Sequence, residues 1–303
     1  MNKLIYMLSV ALLSWGMTGC KKEAKLTPST KPEDVYSEHT LPQGNHPYDA
    51  DIQQLYDKYK TLFLYKYVPH DLYFNIDQDL GGTYDTAADK VTKPGYFDVP
   101  ADQAYVGQQL DLVKQLWLSY YPDSLLKKGL PPKVYLVDSF YFAYSGPGKP
   151  LDNWPTMTDV FAGTDYILFA WGGARILDIT AADKYALKGQ MNTAFLGFAR
   201  KQGAVKVTPA FAVVADYSIL NWSNQYEQGV LYIDQFGNTP EKDWDSYVTA
   251  IVSNSYDVLT SPGNILDPDV DTKGAIKKRY DIVIDYFKTT FGVDLQAIGN
   301  AGL

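Results

Sequence analysis

One cysteine serves the whole 303-residue chain, Cys20 near its start, so no disulfide can form within it. A cysteine nucleophile in the folded part is excluded for the same reason. Histidine is nearly as scarce: His39, His46 and His70 are the full set. All three lie in the first quarter of the chain, and no His-Glu-x-x-His occurs anywhere. A Ser-His-Asp triad could draw only on those upstream histidines, and no Gly-x-Ser-x-Gly elbow is present. There is no phosphate-binding loop; Trp171-Gly172-Gly173 and Gly146-Pro147-Gly148 read as turns. Positive charge is in deficit, with a net charge of -8, which argues against nucleic acid and anionic lipid surfaces as partners. Beyond the N-terminus no apolar run is long enough to span a bilayer.

The N-terminus carries a processing signal. Lys3 supplies a short positive region and Leu4 to Met17 an apolar one that is short for a membrane span. Met17-Thr18-Gly19-Cys20 reads as a lipobox: small residues for the peptidase, then a thiol free to take diacylglycerol. Residues 1–19 are thus expected to be a lipoprotein signal peptide and Cys20 the lipidation site. Each buried acyl CH2 contributes roughly 0.8 kcal/mol, so a multiply acylated cysteine holds firmly to a membrane. Lys21 and Lys22 replace the Asp that retains many bacterial lipoproteins at the inner membrane. The expected location is the outer membrane, on either its periplasmic or its extracellular face. Residues 20–48, rich in Lys, Glu, Pro, Ser and Thr, read as a flexible tether. Residues 49–303 are long enough for one large domain. Tyrosine is abundant, 25 in all, and suits both core and interfaces.

Hydrophobic spacing predicts helices near Asp51–Lys66, Asp102–Tyr120, from Thr180 onward, after Thr239-Pro240-Glu241, and over Ala275–Phe291, closed by Gly292. Thr180 and Asp183 have capping-box spacing. Strands are expected at Lys133–Asp138, Phe140–Tyr144, Tyr166–Trp171 and Gly229–Phe236, with strand and loop between Pro69 and Pro100. The fold class is α+β, a small central sheet with a mostly helical C-terminal half.

Several pieces in this order resemble the substrate-import-associated zinc metallohydrolase lipoproteins of Bacteroidetes-type bacteria, also described as zinc-binding metallopeptidases. They are the lipobox and the Tyr-rich first helix, then the run from Gln109 to Leu118 and Pro132-Lys133-Val134-Tyr135-Leu136-Val137. Gly229 through Trp244 and the ending Tyr286-Phe287-Lys288 to Gly292-Val293-Asp294-Leu295 complete the set. The resemblance implies a zincin-like architecture, with zinc bound by His-Glu-x-x-His on the third long helix. That spacing is what the chemistry needs, since histidines at i and i+4 share a face and the Glu activates a zinc-bound water. Here the matching pentapeptide is Thr193-Ala194-Phe195-Leu196-Gly197. Thr193 and Gly197 stand where the family has ligands, Ala194 where it has the base, and Ser246 where it has a Glu on the next helix.

The resemblance therefore implies an inactive homologue with no metal or other cofactor retained. Its partners would be the membrane, through acylated Cys20, and a TonB-dependent importer with its surface lipoprotein. It would bind a peptide, glycan or partner protein. Two further readings stay open: a hydrolase using carboxylates such as Asp243 and Asp245, or a purely structural lipoprotein. Asp267-Pro268-Asp269-Val270-Asp271 mimics the start of a calcium loop, but Thr272 and Lys278 replace the Gly and Glu it needs, so it reads as an acidic loop.

Overall fold

The computed structural model describes residues 39–68, 71–72, 83–85, 90–93, 95–143 and 156–302. Residues 1–19, where a signal peptide is expected, Cys20 and His70 lie outside them. The chain divides into two units, Met1–Thr40 and Leu41–Leu303. The first is described only at its last two residues; the second begins ahead of the boundary expected at 49.

Helix α1 (Pro47–Tyr59) opens with Pro47 in its first turn and ends at Lys60, whose φ of 60° is left-handed. The helix expected to reach Lys66 therefore stops early. Leu62, Phe63 and Leu64 are all buried and form strand β1. Three successive buried residues suit a strand covered on both faces, not a helix with one wet face. After the hairpin of β2 (Thr83–Asp85) and β3 (Lys90–Lys93) comes β4 (Gly95–Pro100).

Helix α2 (Val106–Leu116) is shorter than expected and runs into a 3-10 turn at Leu118–Tyr120. A helix not anticipated, α3 (Asp123–Gly129), follows Pro122. The two apolar stretches after Lys133 are one long strand, β5 (Lys133–Ala143), which runs through Ser139. Its first half lies parallel between β1 and β8 (Tyr166–Phe169). Its second half pairs antiparallel with β4 and with β6 (Thr156–Met157), while β7 (Val160–Ala162) borders β8. Every residue of β8 is buried, as a strand covered on both faces requires. Gln109 pins α2 to the strand ends: its Nε2 lies 2.9 Å from the carbonyls of Val137 and Phe169 and 2.8 Å from that of Ala170.

The second half is helical. Helix α4 (Ala181–Lys201) starts on the expected capping box: Thr180 Oγ1 accepts from the Asp183 N–H at 3.1 Å, and Asp183 accepts from the Thr180 N–H at 2.9 Å. The four-residue α5 (Pro209–Ala212) precedes α6 (Pro240–Ser253), capped by Thr239. Then come α7 (Tyr256–Thr260), α8 (Ala275–Phe291) and α9 (Leu295–Asn300). Helix α4 packs along α6, whose other sides meet α8 and α9.

The strand expected over Gly229–Phe236 is absent; the segment is irregular. Gly229 has a φ of 69°, and side chains capture the backbone groups a strand would offer to a neighbour. Asn238 Oδ1 accepts from the Asp234 N–H at 3.0 Å, and Asp234 accepts from the Phe236 N–H at 2.7 Å.

Candidate functional site

Helices α4 and α6 leave a cleft of about 160 Å³. Helix α4 lines it with Thr193, Ala194, Gly197, Phe198 and Lys201, and α6 with Asp245, Val248 and Thr249; Ala162 of β7 contributes. The three α4 positions singled out by the resemblance thus share one concave surface. Helical geometry explains it, because residues i, i+1 and i+4 fall on the same side. Among the described residues a Cβ on Gly197 would meet no atom within 4 Å, so the recess is open over that residue. Thr193 Oγ1 is buried with no hydrogen-bond partner among the described residues.

The opposing wall differs from expectation. Ser246 does not line the cleft; its hydroxyl donates to the Lys242 carbonyl one turn back, at 3.0 Å. Its neighbour Asp245 and, one turn on, Thr249 face α4 instead. The Asp245 carboxylate is gripped at both oxygens by Arg200, with Nε to Oδ1 at 2.6 Å and Nη2 to Oδ2 at 2.5 Å. The hydrogen bonds to that carboxylate raise the Arg200 pKa further. A fork-to-fork pair of this kind fixes both side chains.

Asp243 turns the other way. It is buried and accepts from Arg279 Nη1 at 3.0 Å, from Tyr217 OH at 2.8 Å and from Asn238 Nδ2 at 2.8 Å. Arg279, fully buried, also donates to the Gly229 and Phe211 carbonyls and to Tyr217 OH. Burial is the main cause that pushes the Tyr217 hydroxyl up to about 12. Two positions apart on a helix point about 200° from each other. Asp243 and Asp245 therefore cannot flank one substrate bond, and each is bound to its own arginine.

The remaining candidates are occupied locally. Asp267 accepts from the N–H groups of Gly263 and Asp269, which hold its carboxyl below the usual range. Asp271 caps the start of α8, accepting from the N–H groups of Ile276 and Lys277 at 2.9 and 2.7 Å. The acidic run is a loop and a helix cap. His46 sits beside Asp49 at 3.2 Å at the start of α1.

Zinc needs imidazole, thiolate or free carboxylate donors. The cleft offers a hydroxyl, a methyl group and a glycine on α4, and on α6 one carboxylate already taken by arginine. These residues do not fit the metal. Among the described residues no group of three or more His, Cys, Asp or Glu comes together to hold one. Nor, among them, is any helix long and apolar enough to cross a membrane.

Sequence reasoning did not find the Arg200–Asp245 clamp, the Arg279–Asp243 pair or the buried Lys188, whose ammonium donates to the Gly299 and Ala301 carbonyls at 3.2 and 3.0 Å. Partners 36 to 113 residues apart leave no local pattern to read.

No protein-family model matches the chain, and no curated protein matches it in sequence. A crystal structure described as "a putative zinc-binding metallo-peptidase from Bacteroides caccae" is similar at 12% identity and a TM-score of 0.45. The match covers 84% of this chain and 91% of that one. A likeness of that size is one of outline and carries neither metal nor activity across to this chain.

Proposed function

We propose that this protein is a non-catalytic, zincin-like relative of the zinc metallohydrolase lipoproteins, anchored to the outer membrane through acylated Cys20. In this reading it serves a TonB-dependent importer by holding a ligand in the α4–α6 cleft. The supporting observation is the cleft itself: open over Gly197, lacking metal donors, with its one carboxylate neutralised by Arg200. Of peptide, glycan and partner protein, the peptide fits best. A recess of this volume matches one that accepts benzene, about 150 Å³, and so takes one apolar side chain. Phe198, Val248 and Ala194 supply the apolar walls, while Lys201 supplies a polar group at the same surface.

The test combines metal analysis with ligand titration on the purified mature chain. The expected result is no stoichiometric zinc, binding of short peptides bearing Leu, Met or Phe, and loss of that binding in Gly197→Leu, which fills the recess. Zinc held at one equivalent, or peptide hydrolysis by the purified chain, would overturn the reading.

A further inference from the structure

A second surface lies away from the cleft. Between α5 and α6 the chain leaves large apolar side chains in solvent: Ile219, Trp222, Tyr232 and Phe236, with Trp222 71% and Phe236 84% exposed. Isolated exposed apolar residues need no explanation, but this grouping of aromatics within one connection is unusual for a surface. The loops that carry them are built rigidly. Asn221 and Asn224 donate to the Ile219 carbonyl, and Asn238 donates to that of Tyr232. Both loops also end on one buried carboxylate: Tyr217 and Asn238 each donate to Asp243, itself paired with buried Arg279. The loops are thus tied by the core to the N-terminal end of α6, which lowers the backbone ordering cost to be met when the rings dock.

Chemistry narrows the occupant. Residues 216–238 include Asp216, Glu227 and Asp234 but not one Lys, Arg or His. Asp234 is neutralised by Lys242 at 2.8 Å. An anionic surface is therefore excluded, and a neutral one is admitted. The Asn221, Asn224 and Asn238 carboxamides are spent on the Ile219 and Tyr232 carbonyls and so are not offered to sugar hydroxyls. Trp, Tyr and Phe beside Ile are the side chains that settle at the level of lipid headgroups. The lipobox ending at Cys20 and a linker of about 20 residues, reaching at most about 70 Å when extended, would keep the body within reach of a bilayer.

We infer that the Ile219–Phe236 loops insert into the interface of a zwitterionic lipid bilayer and set how the body lies on it. The biological setting rests on the anchor reading; the insertion itself does not. The experiment uses the mature chain from residue 20 with Cys20→Ser, unacylated, so that the loops alone are read. It is sedimented with phosphatidylcholine–phosphatidylethanolamine vesicles while tryptophan emission is followed. The expected result is co-sedimentation unaffected by salt, a blue shift, and at least about tenfold weaker partitioning in Trp222→Ala/Phe236→Ala, with unchanged thermal melting. A chain left in the supernatant, a double variant that binds like its parent, or binding that needs phosphatidylglycerol and falls with salt would each overturn the inference. Acyl labelling of Cys20 in cells reports on the anchor separately.

Discussion

Two glycines inside α4 should respond to the same substitution with opposite signs. Replacing a helical Gly by Ala gains about 0.8–1.0 kcal/mol from backbone propensity, provided the new methyl group meets nothing. At Gly197 that condition holds, because no atom of the described residues lies within 4 Å of the added Cβ. At Gly189 the methyl would sit 2.7 Å from Ser253 Oγ, 3.0 Å from its Cβ and 3.1 Å from its Cα. Rotating the hydroxyl away does not relieve the last two contacts, since they belong to the final turn of α6. Overpacking of this kind costs about 1–3 kcal/mol and outweighs the propensity gain. Gly197→Ala is therefore expected to stabilise by about 0.5–1 kcal/mol, a rise of a few degrees in Tm. Gly189→Ala is expected to destabilise by about 0.5–2 kcal/mol. Urea unfolding of the chain from residue 20 with Cys20→Ser measures both, read as midpoint shifts at constant slope. If Gly197→Ala destabilises, or both variants stabilise, the open recess over Gly197 and the tight α4–α6 contact at Gly189 are wrong.

Asp243→Ala strands the Arg279 guanidinium in the core without its counter-charge and should cost about 3–5 kcal/mol in urea unfolding. Thr180→Ala removes the α4 cap and should cost about 1 kcal/mol by the same measurement. Lys188 gives a pH dependence: burial pushes its pKa from 10.5 down to about 8. Between those values the unfolded chain holds more protons. This group's contribution is therefore full above about pH 10.5 and is lost as pH falls through about 8. The stability difference between the parent and Lys188→Met should grow in the parent's favour by about 1 kcal/mol from pH 8 to 9. A flat difference would refute the assignment. The upper limit keeps the measurement below the range in which buried tyrosines such as Tyr280, raised by burial, begin to oppose it.

Much of the helical half was legible in the order of residues. Ala275–Phe291 came out with its ends in place because Gly292 adopts the left-handed stop that glycine favours. Thr180 with Asp183 and Thr239 with Pro240 marked their helix starts, since capping is settled within four residues. Errors fell where the partner is distant. Leu62–Leu64 continues a helical stripe on paper, yet Lys60 ends the helix and a place beside β5 makes it a strand. Gly229–Phe236 has a strand's composition but, among the described residues, no adjoining strand, and Asn238 and Asp234 fold it on itself.

The candidate site divides the same way. Spacing along one helix was enough to group Thr193, Ala194 and Gly197, because a helix repeats every 3.6 residues whatever surrounds it. Which residue of α6 faces them depends on how two helices are rotated about their axes, and packing chose Asp245 over Ser246. The sequence by itself determined the scarcity of metal ligands and the face of α4. Only the tertiary structure decided that this face borders an open cleft, that Arg200 neutralises its carboxylate, and that the loops before α6 hold their aromatic rings in solvent. Each of these turns on contacts between segments far apart in the chain, and local propensity carries no information about them.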